Sequence, residues 1–285
     1  MNNQKIGILV DTAAGDDSQL YKDTDIALLP LHIIFEDEND IIDTPQNLIE
    51  TNFYQRVADG ENVRTSQASP GELQAKYEEM LKTYDYIIHL PIPANLSSMY
   101  QTSLMIAKEF DDKVKVIEHS MAANGIKECA LALDQQLKSG KLNSIKAIEG
   151  FLKTYEAEMY LGIVPGDLKK LARGGRAVGI IQTILNVFKT KVLIKWEAKP
   201  KKQAFGRTIA SVSKTAITTV KEKYSNQEYK LIFVTTPLTD EKIKQAAIEI
   251  LEKEKVTYQN EEIPAMYTAH AGVNTIGFIS VKNIK

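Results

Sequence analysis

Short apolar runs alternate with helical periodicity through the first 158 residues, and this alternation constrains the fold more than any other feature of the chain. Ile6 to Val10 stops at Asp11-Thr12, Tyr86 to Leu90 breaks at Pro91, and Val114 to Ile117 ends at Glu118. Between them, Leu73, Tyr77, Met80, Leu81 and Tyr84 are spaced for one helix face, and Leu96, Met99, Tyr100, Ser103, Ala107 and Phe110 trace another. Parallel strands need a crossover of helix length, and such crossovers are right-handed. The pattern therefore predicts an α/β fold whose N-terminal part, 1–158, is a mostly parallel sheet flanked by helices.

The rest of the chain, 159–285, reads as a second, C-terminal α/β domain, because 285 residues exceed most single cores. Strands are expected at Tyr160 to Val164, Lys191 to Trp196, Lys230 to Val234, near Val256 to Ile263 and at Ile276 to Val281. Helices are expected at Ile180 to Phe188, Arg207 to Tyr224 and Asp240 to Glu254, with a turn at Gly174-Gly175. In the first part, Ala27 to Phe35 reads as one strand-like run bent at Pro30, and a helix is expected from Pro45 to near Gly60.

Charge and cysteine content exclude several classes of function. A net charge of −2 and a pI near 6.2 give no global attraction to nucleic acid or an anionic membrane. The one cysteine, Cys129, lies among Ile126, Ala130 and Leu133, where it reads as a small buried hydrophobe. Five residues of apolar or small type, Ile6 to Val10, are too few for a signal peptide, and no run approaches membrane-spanning length. A cytoplasmic protein is expected, with no stable membrane insertion.

Arg64-Thr65-Ser66-Gln67-Ala68-Ser69-Pro70 puts three hydroxyls and an amide between a helical pattern and a new helix start. Ser69, Pro70 and Glu72 form a capping box with proline at the first helical position. Thr65, Ser66 and Gln67 are left over, either as a polar turn or as an anion site ahead of a helix N-terminus. Ser97 and Ser98 fall at a second helix start, and Asp11 at the carboxyl end of the first strand, where open α/β sheets bind ligands. Of the four histidines, His32 and His89 sit in strand-like runs, and His119 ends a strand. His270 lies in what reads as a small-residue loop, Thr268 to Gly272, between late strands. Six lysines between Lys189 and Lys202 read as a solvated strand face and hairpin. There is no P-loop, G-x-S-x-G elbow, H-E-x-x-H or G-x-G-x-x-G after the first strand.

Five elements in order carry a resemblance: Asp11-Thr12, Thr65-Ser66-Gln67-x-Ser69, Leu96-Ser97-x-x-Tyr100-Gln101, Asp167-Leu168 with Gly174-Gly175-Arg176, and His270. Together they resemble the DegV family of bacterial fatty-acid-binding proteins, which includes the FakB proteins. The resemblance implies a two-domain DegV-like fold with one long-chain fatty acid in a tunnel between the domains and no cofactor. It implies that Thr65, Ser97 and His270 hold the carboxylate, with Ser66, Ser98 and Asp11 in support. It further implies a carrier without catalysis of its own that presents the acid to a separate fatty acid kinase, with Arg207 and Arg176 facing the partner or phosphate. The chain departs from the family pattern at Ser98 and Met99, at Ala68, and at Val273-Asn274.

Two other readings use the same residues: a serine-dependent hydrolase of a small ester or phosphoester built on Ser97 or Ser98 with His270 and Asp11, and a phosphometabolite sensor using the two helix ends with Arg176 or Arg207. Energetics favour a lipid in this scaffold. Burying roughly 14 methylenes at about 0.8 kcal/mol each contributes on the order of 11 kcal/mol before association costs, whereas a head-group hydrogen bond nets about 0.5–1.5.

Overall fold

The computed structural model describes residues 4–16, 18–173, 190–225 and 227–283. Three sheets organise them. The first is parallel throughout, in the order β2 (Ile26–Leu29), β1 (Ile6–Asp11), β6 (Tyr86–Leu90), β7 (Val114–Val116). Its strands are apolar on both faces, as a sheet covered on both sides requires. Ile8, Val10, Ile88 and Leu90 pack with Ile126 and Leu133 of the helix Asn124–Lys138 and with Ile148 of the helix Ile145–Glu158. Leu9 and Ile87, on the opposite face by the period of two, cluster with the helices Pro70–Met80 and Met99–Ala107. Cys129 is buried in the first of these two cores as a free thiol.

The second sheet has six strands in the order β10 (Lys201–Gly206), β9 (Lys191–Lys195), β8 (Tyr160–Val164), β13 (Ile276–Lys282), β11 (Tyr229–Thr235), β12 (Gln259–Glu262). All neighbours are antiparallel except β11 and β12. One face, carrying Tyr160, Val164, Leu231, Phe233, Ile276 and Phe278, is covered by the helices Ile209–Lys223 and Glu241–Lys253. The alternate residues Leu161, Ile232, Val234 and Ile279 point the other way and join the core that holds Leu9 and Ile87. That inward face supplies one side of the cavity described below.

The third sheet, β4 (Asp40–Ile42), β3 (His32–Ile34), β5 (Arg64–Ser66), is antiparallel. It corrects two expectations. The run Ala27 to Phe35 is not one bent strand: β2 ends at Leu29, Pro30 has no N–H for a ladder, and β3 belongs to another sheet. Arg64 to Ser66, expected as loop, is a strand with Thr65 opposite Ile33. The helix expected from Pro45 to Gly60 is two, Pro45–Glu50 and Phe53–Ala58, interrupted at Asn52 with φ +51°. The late loop is also a helix, Ala265–Ala271, rich in alanine and ended by Gly272 at φ +82°. The expected turn Gly174-Gly175, the run Ile180 to Phe188 and Lys189 lie outside the described residues. Among the described residues no helix is long and apolar enough to cross a membrane.

Candidate functional site

A cavity of about 340 Å³ opens above the inward face of the second sheet, where Leu161, Ile163, Val234, Gly277 and Ile279 line it. Leu31, Ile92 and Leu96 from the first part of the chain line the facing side, so residues from before and after position 158 enclose it. Its volume is near the lower end of the range of about 300–1,000 Å³ usual for small-molecule sites. Polar side chains in the lining include Thr65, Ser66, Gln67, Ser97, Ser98 and His270.

Thr65 and His270 meet directly across these segments, with Thr65 Oγ1 2.7 Å from His270 Nε2. Each is fixed by its element. Thr65 is the middle residue of β5, and His270 occupies the last turn of the helix Ala265–Ala271. With the proton on Nε2, the imidazole donates to Thr65 and leaves the threonine hydroxyl proton available to an incoming carboxylate. Ser97 is half-buried, and its Oγ accepts from the Met99 N–H at 3.2 Å, so its own hydroxyl proton is also available. Ser98 takes the N-cap position of the helix Met99–Ala107 without a side-chain cap bond and is exposed.

Ser66 and Gln67 serve the loop as well as the cavity. Ser66 Oγ donates to the Gln67 carbonyl at 3.2 Å, and Gln67 Nε2 donates to Thr102 Oγ1 at 2.9 Å. Ser69 forms the expected capping box: its Oγ accepts from the Glu72 N–H, and its own N–H donates to the Glu72 carboxylate at 2.7 Å. This separates the stretch into cavity-lining and helix-capping halves.

Asp11 does not line the cavity. It is fully buried, Oδ1 accepting from the Ala13 N–H at 3.1 Å and Oδ2 from the Ile92 N–H at 2.6 Å. Burial pushes its carboxyl up to about 7 against the opposing pull of those two donors. Its contact with the site is thus through the backbone of Ile92, which does line the cavity. Arg207 is exposed in the turn between β10 and the helix Ile209–Lys223, away from the lining, and Arg176 lies outside the described residues.

The remaining histidines have structural surroundings. His32 bridges Asp40 at 2.9 Å and Glu72 at 3.1 Å, which raise its affinity for a proton against the opposing effect of burial. His89 Nδ1 meets the Tyr77 hydroxyl at 2.6 Å in the core, and burial lowers its pKa to about 3. His119 is buried near the carbonyls of Pro91 and Met121 and lowered to about 4 by that burial. Among the described residues no cluster of His, Cys, Asp and Glu could hold a metal ion.

Sequence reasoning missed Trp196 and Tyr267, both in the lining. The Tyr267 hydroxyl accepts from the N–H of Ala123, another lining residue held at the strained φ of +51°. No local pattern announces either role. The only available signal was that Trp196 is the sole tryptophan.

Comparison with known proteins agrees with this architecture. The profile of a family described as "Uncharacterised protein, DegV family" matches residues 5–283. A protein of Thermotoga maritima named fatty acid-binding protein is 25% identical over 291 residues, covering 96% of each chain. Protein DegV of Bacillus subtilis is 29% identical over 222 residues, covering 71% of this chain and 75% of its own. Among solved structures, the fatty-acid-binding DegV family protein of Thermus thermophilus superposes with a TM-score of 0.85 at 21% identity, covering 98% of this chain and all 100% of that one. Over nearly its whole length, residues 5–283, this chain belongs to the DegV family.

Proposed function

We propose that the protein binds one long-chain fatty acid in the cavity, between a part spanning 1–158 and a part spanning 159–285. Its carboxylate would lie against Thr65, Ser97 and His270. The observation that carries this reading is the 2.7 Å bond between Thr65 and His270 on the wall of an otherwise largely apolar cavity. A tail in that cavity supplies affinity by leaving water, and the hydroxyls and imidazole orient the acid. Relatives named for fatty acid binding support the same ligand class.

On this reading the protein is a carrier that contributes no phosphoryl-transfer chemistry and presents the carboxyl group to a separate fatty acid kinase. Exposed Arg207, and Arg176, are the residues assigned to that partner or to the acyl phosphate. The hydrolase reading fares worse on geometry. It needs Asp11 behind His270, yet both Asp11 oxygens accept from backbone N–H groups, and His270 Nε2 meets a threonine. Native mass spectrometry of the purified chain tests the proposal. A co-purifying acyl species, or uptake of added palmitate at one per chain, is the expected result; neither appearing would overturn it.

A further inference from the structure

A second cleft, of about 650 Å³, lies beside the first cavity and shares Ile263 with it. It runs from Thr12 to Asp16 after β1, past Asp43 and Tyr54, to Asn260 through Ala265 at the end of β12. Four carboxyl-bearing residues line it, Asp16, Asp43, Glu261 and Glu262, against one lysine, Lys127, whose Nζ is already 2.6 Å from Glu261. Pro45, Leu48, Ile49 and Pro237 give the same cleft an apolar side, on which Ile49 is 76% exposed.

Two buried groups at this cleft have needs that the chain itself does not meet. Asp43 is only 4% exposed and hydrogen-bonded to the Thr12 hydroxyl, yet no cation among the described residues is in salt-bridge range and Asp16 adds like charge. Asn124 is 3% exposed; its Nδ2 donates to Glu261 Oε2 at 2.7 Å and to the Glu262 carbonyl at 3.1 Å. Those two acceptors fix the orientation of the amide, and Oδ1 is left without a donor. Such an orphaned acceptor is uncommon in a folded interior and calls for an explanation. The acidic groups do not converge: no set of three among the described residues stands close enough for one metal ion. Distributed N–H donors on an apolar stem match them better than a bare ion.

We propose that this cleft binds an organic cation, an ammonium or guanidinium on an aliphatic stem, whose N–H groups donate to Asp43, Glu262 and Asn124 Oδ1 while the stem lies along Leu48 and Ile49. The cation could be a free amine or the side chain of a lysine or arginine presented by another protein. The site is separate from the fatty acid reading, and neither depends on the other.

The test is titration calorimetry and thermal shift on the full chain with n-pentylamine, n-butylguanidine, N-acetyl-lysine methylamide and, as the neutral control, n-pentanol. Both small cations should raise the melting temperature where pentanol does not. Tighter binding of the capped lysine than of pentylamine marks a protein side chain as the source, and the reverse marks a free amine. Asp43→Asn and Asn124→Ala should each weaken binding about tenfold. Exposed Glu262→Gln, which does not disturb the core, should weaken it severalfold and guards against misfolding of the buried variants. In NMR spectra the Asn124 side-chain amide should shift and the Thr65 methyl should not. Equal effects of pentanol and the amines, perturbation mapping to Thr65 and His270, or no response to any cation at millimolar concentration would each overturn the assignment.

Discussion

Thr65 and His270 stand 205 residues apart in the chain and 2.7 Å apart in space. One comes from the middle of a three-residue strand and the other from the last turn of a seven-residue helix, so their pairing reports on how the two parts of the chain pack. The bond places a matched donor and acceptor on a cavity wall that is elsewhere mostly aliphatic.

Removing either partner should therefore weaken acid binding without unfolding the chain. For Thr65→Val the expected loss is about 1–2 kcal/mol, roughly a tenfold rise in Kd for palmitate, with a melting temperature close to that of the parent. Displacement of a fluorescent fatty acid measures the first, and calorimetry the second. A palmitate Kd unchanged in both Thr65→Val and His270→Ala would remove these residues from the head-group site.

Ser69 should behave in the opposite way. Its hydroxyl and Glu72 close a capping box on the helix Pro70–Met80, so Ser69→Ala should cost about 1 kcal/mol of stability and leave palmitate affinity alone. Urea unfolding followed by circular dichroism would read the change in midpoint.

Tyr77 and His89 make the corresponding prediction for the core. Tyr77→Phe strands His89 Nδ1 away from water, because the tyrosine hydroxyl 2.6 Å away is its hydrogen-bond partner in the core. An unsatisfied buried group costs about 1–3 kcal/mol, so the loss should exceed that of Ser69→Ala.

Stability should also depend on pH in a direction set by buried acids and histidines. Asp11 and Asp43 rise from 3.8 to about 7 through burial, so the folded chain holds protons that the unfolded chain releases. Their contribution is full below 3.8 and is lost as pH rises through about 7. Buried His89 and His119 act with the opposite sign: held to about 3 and about 4 from 6.5, they contribute above 6.5 and lose that contribution as pH falls. The melting temperature should accordingly drop between about pH 6 and pH 8.5, and the drop should shrink in Asp43→Asn, which cannot release the proton. Differential scanning calorimetry across that range would show it; an identical slope in the variant would contradict the assignment.

Arg207 is exposed and off the cavity lining, so on the proposed function it serves the partner and not lipid retention. Arg207→Ala should keep its fatty acid and lose acyl phosphate formation in the presence of a fatty acid kinase. Loss of lipid binding instead would move the arginine into the pocket.

Much of this architecture was legible in the sequence. Alternating apolar runs and helix-spaced stripes located the parallel sheet, and the Ser-x-x-Glu signal located the start of the helix at Pro70, because each depends only on neighbours a few residues away. Motif order named Thr65, Ser97 and His270, all of which line the cavity. Strands of three residues, such as β3 to β5, show too few alternations to be recognised, and the helix Ala265–Ala271 is too short and too uniformly small to display a stripe. Only the tertiary structure decided that Thr65 meets His270, that Asp11 acts through the Ile92 backbone, and which aliphatic residues enclose a space. Those outcomes depend on how sheets separated by many residues face one another, and a side chain filling a core carries the same sequence signal as one lining a cavity.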